Sequence, residues 1–156
     1  MKNLLSLFTI TIFLVTNTAC AQSQNENDKI VSMLREFYLS YNAVWENFTS
    51  YTLEEFEDKM FSLQQKYCSI KLQNKIKKYY RIYKFDHDLL TNDYGGTDME
   101  TFEQTLSIVQ DTTKKYSYMV SYIVNIGYPS ITRTEKNVIN LTVVKEDGIY
   151  KIDEVW

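Results

Sequence analysis

The chain has a single histidine, and it lies between two carboxylates in Phe85-Asp86-His87-Asp88-Leu89-Leu90. An imidazole flanked by acids suits a general base, a metal site or a polar turn, and spacing separates the three. A closed zinc site takes about four ligands and usually recruits Cys or a second His, neither of which is present in this stretch. The calcium-loop pattern fails too. Counted from Asp86, its third ligand position holds Leu90, its glycine position Thr91 and its terminal glutamate position Thr97. No metal or other cofactor is therefore expected. As a catalytic pair, an acid must orient the imidazole through its side chain, and adjacent residues usually point apart. His87 stays a candidate base beside a plainer reading. In that reading Asp86 and Asp88 accept backbone amides in a turn joining a helix to a sheet, Asp88 caps a short Leu89-Leu90 turn, and both leucines plug the core.

Aromatic supply is the second source of chemistry. Tyr118, Tyr122, Tyr150 and Trp156 share the even parity of Val120, Val124 and Ile152 in alternating segments near the C-terminus, which predicts a tyrosine-lined, ligand-binding face. Glu154 has the same parity, and an acid projecting among tyrosines would have a raised pKa and serve as a base. The alternative is that Glu154 reaches solvent or pairs with a Lys.

A third cluster is basic. Lys71, Lys75, Lys77, Lys78, Arg81 and Lys84 have no acid among them and interleave with Tyr79, Tyr80 and Tyr83. This is either a solvated face answered by Glu54, Glu55, Glu57 and Asp58, or a surface for a protein or membrane, centred on Lys75, Lys77, Lys78 and Arg81.

The elements that must position these groups follow from periodicity. Ile30, Leu34, Phe37, Tyr41, Trp45 and Phe48 recur at helical steps and predict a helix over about residues 28–48. Thr52-Leu53-Glu54-Glu55 is a capping box opening a second helix, with Phe56, Met60, Leu63 and Tyr67 as its stripe. Ser69 caps a third, with Ile70, Leu72, Ile76, Tyr79 or Tyr80 and Tyr83 inward. Beyond Gly95-Gly96 the period becomes two. Strands are predicted over 106–109, 116–124, 138–144 and 149–156, with a Gly127-Tyr128-Pro129-Ser130 turn and an Asp147-Gly148 hairpin. Short connections make neighbours antiparallel. The fold class is segregated α+β: N-terminal helices on the concave face of a curved, mainly four-stranded antiparallel sheet.

The N-terminus has one Lys, an apolar stretch over residues 4–15, then Ala19-Cys20-Ala21. That order predicts a signal peptide over 1–21 and an exported, periplasmic protein. Cleavage after Ala21 releases a soluble chain; cleavage before Cys20 leaves it as a lipidated membrane anchor, although Asn17 stands where a lipobox prefers Leu or Val. Residues 22–27 are expected to be a tether and 28–156 a single domain. Of 17 basic groups the loss of Lys2 leaves 16 against 20 acidic ones, a formal charge of −4, which gives no support for nucleic-acid binding. Cys68 remains the only thiol, read as a small buried hydrophobe.

The helices-first order, together with the closing Asp147-Gly148-Ile149-Tyr150-Lys151-Ile152-Asp153-Glu154-Val155, resembles the nuclear transport factor two-like (SnoaL-like, cystatin-like) superfamily. Lys66-Tyr67-Cys68-Ser69 with Leu72, and Asp86-x-Asp88 with Asn92-Asp93-Tyr94, resemble an exported bacterial family known only as a domain of unknown function, over about residues 27–156. The resemblance implies helices packed into a bent sheet to make a cone. It leaves function open, since such folds include isomerases, dehydratases, hydrolases and binding modules. The reading is an exported non-catalytic domain that binds a small apolar ligand or a protein partner. Alternatives are a lyase, isomerase or hydrolase using Glu154 or His87 with a tyrosine donor, and an immunity-type inhibitor of a toxin.

Overall fold

A computed structural model describes residues 2–83, 88–92, 97–126 and 133–156, with side chains from residue 24 onward. Asp86, His87, Lys84, the Gly95-Gly96 pair, the 127–130 turn and the side chain of Cys20 lie outside the described residues. Helix α1 runs Lys2–Glu46, a 3₁₀ turn Phe48–Ser50, α2 Leu53–Tyr67, α3 Ile70–Tyr83 and α4 Met99–Thr105; strands follow as β1 Ser107–Gln110, β2 Ser117–Ile126, β3 Arg133–Glu146 and β4 Ile149–Val155. The helices pack against one curved antiparallel sheet of order β1-β2-β3-β4. The expected α+β class is therefore the observed one.

Local chemistry explains where the elements begin and turn. Thr52 Oγ1 accepts from Glu55 N at 3.2 Å while Thr52 N donates to Glu55 Oε2 at 2.8 Å, completing the capping box of α2. Ser69 Oγ accepts from Leu72 N at 3.1 Å and starts α3. Asp147 and Gly148 both have positive φ, +50° and +84°, the conformation that a two-residue hairpin needs and that Asp-Gly tolerates.

Two differences from expectation concern helices. Residues 22–27 continue α1 rather than forming a tether, because Glu26 accepts from the hydroxyls of Tyr116 and Tyr150, and Tyr118 donates to Asn27 Oδ1 at 3.1 Å. The segment after α3 leads to α4 rather than straight to the sheet. Asp98 caps α4 by accepting from Thr101 N at 2.8 Å, and at seven residues, about two turns, the helix is too short to register as helical periodicity.

The core lies between α1, α2 and the sheet. Pairing of Tyr118 with Leu141 and of Val120 with Ile139 places even residues of β2 against odd residues of β3, and all four are buried with Tyr122 and Val124. On β4 the alternation breaks. Val143 pairs with Ile152 and Thr142 with Glu154, so Asp153 has no opposite number. This bulge reverses the side on which every later residue points. Ile152 and then Val155 face the helices, at 0% and 3% exposure, while Trp156 is 60% exposed.

Candidate functional site

Positions 38, 41 and 45 of α1 fall on one helical face, and all three reach the segment 88–92. Tyr38 donates to Leu90 O at 3.3 Å, Tyr41 to Asp88 Oδ1 at 3.3 Å and Trp45 Nε1 to Asp88 Oδ2 at 3.0 Å. Asp88 also accepts from Leu90 N at 2.9 Å and Thr91 Oγ1 at 3.1 Å. The sheet holds the same segment from the other side: Tyr122 Oη donates to Thr91 O at 3.3 Å, and Asn137 Nδ2 donates to both Thr91 O and Tyr122 Oη. Asn42 secures the next stretch, donating to Thr97 O at 2.8 Å and accepting from Thr97 N at 3.1 Å. The expected role of Asp88, accepting the amide of a Leu89-Leu90 turn, is what the geometry shows; Leu90 is fully buried.

Burial pushes the Asp88 carboxyl above its usual range, and the donors from Leu90, Trp45, Thr91 and Tyr41 oppose that rise. Four donors occupy two oxygens that together offer about four lone-pair sites. Asp88 is thus the acceptor that organises the junction.

Asp88 and Leu89 also line a cleft of about 330 Å³ between α2 and α3, closed on a third side by Tyr41 and Trp45 of α1. From α2 it takes Glu57, Asp58, Met60, Phe61 and Gln64; α3 contributes Ile76, Lys77, Tyr79 and Tyr80. The Tyr80 hydroxyl donates to Glu57 Oε1 at 2.7 Å across the gap, and this bond with burial holds its pKa up at about 12, burial being the larger cause. The cleft exists because α3 is anchored at its start. Only Leu72 of α3 is fully buried, and Lys71 and Lys75 bind the end of β4, through Asp153, Glu154 and Val155 O. Ile70 and Tyr83, expected inward, are 69% and 46% exposed.

No protein-family model and no curated protein matches the chain. A solved structure does. It is a protein of unknown function from Bacteroides thetaiotaomicron, 23% identical, with a TM-score of 0.70, covering 91% of this chain and 98% of that one. At that identity the likeness establishes the fold alone.

The residues singled out from sequence fall in different places. Tyr118 and Tyr122 are core residues, each 2% exposed, with hydroxyls turned to Asn27 and Thr91; Tyr150 binds Glu26. None of them lines the cleft. Glu154 does not face the helices, because the Asp153 bulge turns it outward, where it pairs with Lys71 Nζ at 2.5 Å. Trp156 is turned out by the same reversal. Of the basic residues, Lys77 lines the cleft, whereas Lys75 serves β4 and Lys78 and Arg81 are exposed. Cys68 is buried, and burial pushes its thiol up to about 12, which leaves it protonated and unreactive at neutral pH. Among the described residues no helix is long and apolar enough to cross a membrane. The cleft wall is not legible in the sequence of α2, since Phe61, Gln64 and Glu57 lie off its apolar stripe; the tyrosines interleaved with lysines in α3 are its visible signal.

Proposed function

We propose that this chain is an exported, non-catalytic binding domain that holds a small, largely apolar ligand between α2 and α3. The observation that carries the reading is the pairing of an aromatic-walled cleft of about 330 Å³ with an acid, Asp88, whose oxygens are already taken by four protein donors. The volume is at the low end of small-molecule sites, and a mainly apolar lining with a few polar groups is their usual composition. A general base needs a free lone pair within reach of substrate. Asp88 has none to spare, Glu57 and Asp58 of the cleft are exposed to solvent, Glu154 is engaged by Lys71, and the Cys68 thiol is buried. The α+β arrangement supports the resemblance to the nuclear transport factor two-like superfamily, in which binding modules occur. The leader-like residues 1–21 support delivery to the periplasm, soluble from Gln22 or held by lipid on Cys20.

The test is an amide chemical-shift screen of soluble apolar fragments on the mature chain. Shifts confined to residues around Phe61, Ile76 and Leu89 are expected. Shifts confined to the outer sheet face, or turnover in a hydrolase and isomerase panel that Asp88→Asn abolishes, would overturn the reading. The mass of the mature N-terminus reports the export route.

A further inference from the structure

Resting on the reading of the cleft as a binding site, we infer that its preferred ligand is an organic cation, an ammonium group bearing short alkyl or aryl substituents. Three features of the lining point the same way. Trp45, Phe61, Tyr79 and Tyr80 supply aromatic rings, whose faces carry partial negative charge and attract an ammonium within about 6 Å. Glu57, Asp58 and Asp88 add carboxylates, against Lys77 as the one basic residue among the described lining residues. An anion entering here would meet like charge, which costs binding.

The third feature is a cation already in place. Lys77 Nζ sits 5.2 Å from the centroid of the Phe61 ring. The wall thus already accepts an ammonium on an aromatic face. Lys77 is exposed and on a flexible stem, so it can move aside for a ligand with the same charge. A quaternary ammonium has an advantage in that exchange: it is bulkier and less strongly hydrated than a lysine head, and loses less on leaving water. The opposing feature is the Tyr80–Glu57 bond, which occupies one Glu57 oxygen; Asp58 and the second Glu57 oxygen remain to balance an incoming charge. Lys75, Lys78 and Arg81 share α3 but do not line the cleft among the described residues.

Three probes of similar size separate charge from shape: choline, its neutral isostere 3,3-dimethylbutan-1-ol, and 3,3-dimethylbutanoate, each titrated into the full mature chain with cleft amide shifts as the readout. Choline is expected to bind about two- to fivefold more tightly than the alcohol, the range an exposed cation–aromatic contact supplies, and the carboxylate more weakly than either. Lys77→Met, which removes the resident cation, should raise choline affinity several-fold and leave the alcohol unchanged. Phe61→Leu and Asp58→Asn, at exposed positions, should lower choline affinity selectively, with circular dichroism confirming the fold. If the alcohol binds in the cleft as well as choline and Lys77→Met changes neither, the cation preference is wrong and the apolar site stands. If none of the three, nor any apolar fragment, shifts the cleft amides, both readings fall.

Discussion

The indole of Trp45 donates through Nε1 to Asp88 Oδ2 at 3.0 Å, tying a helix near the start of the domain to the segment that leaves α3. The bond is one of four on a single carboxylate, so its partners share the consequence of losing that acceptor. Asp88→Ala leaves the Trp45 Nε1, Leu90 amide, Thr91 hydroxyl and Tyr41 hydroxyl without it, at a cost of about 3 kcal/mol or more. Asp88→Asn keeps one acceptor oxygen but turns an amide toward donors; removal of the buried charge offsets part of that, so about 1–3 kcal/mol is expected. Urea denaturation followed by circular dichroism gives both values, and an alanine variant no weaker than the asparagine one would contradict this account.

The bulge at Asp153 makes a prediction about two neighbours. Val155→Ala should cost about 2 kcal/mol, because two buried methyl groups are lost and a cavity is left. Trp156→Ala, although it removes a far larger side chain, should cost less than about 1 kcal/mol, since the ring is mostly exposed. Regular alternation through β4 predicts the reverse order, so thermal unfolding of the two variants discriminates cleanly.

Acid stability carries a signature at the other end of the sheet. Glu26 is held below the usual carboxylate value, first by the Tyr150 hydroxyl and more weakly by Tyr116, Lys115 and Lys145; burial, second in size to the Tyr150 bond, opposes them. A depressed folded-state pKa contributes stability that is present above the ordinary value of 4.5 and is lost as pH falls through the folded value. Glu26→Gln should therefore lower stability at pH 7 and lose less of it between pH 5 and 3 than the parent does. The same bond raises Tyr150 to about 12, so spectrophotometric titration of the Gln variant should show one tyrosine ionising earlier.

The capping box offers a local control. Thr52→Ala removes the acceptor for Glu55 N and the hydroxyl that donates to Glu55 Oε2, while the bond from the backbone N of residue 52 to that carboxylate stays, and should cost about 1 kcal/mol. The denaturant slope should stay unchanged, since only the end of α2 is touched.

These cases divide the molecule by the range of the forces involved. Thr52 with Glu55, Ser69 with Leu72, and Asp147 with Gly148 act over three residues or fewer, so cap, start and turn are legible in the order of the amino acids. The alternation of Tyr118, Val120, Tyr122 and Val124 likewise announces its buried side, because neighbouring strand residues must point to opposite faces. The parity of β4 is different. It depends on how β3 pairs with it, and one unpaired residue at Asp153 sends Val155 inward and Glu154 to Lys71. The site has the same character. Tyr41, Trp45 and Asp88, with Phe61 and Tyr80, span three helices and a connecting segment, and their types suggest core or surface until packing brings them together. Hydrogen bonds and aromatic contacts depend on distance in space, and for residues more than 40 positions apart only the folded chain sets that distance.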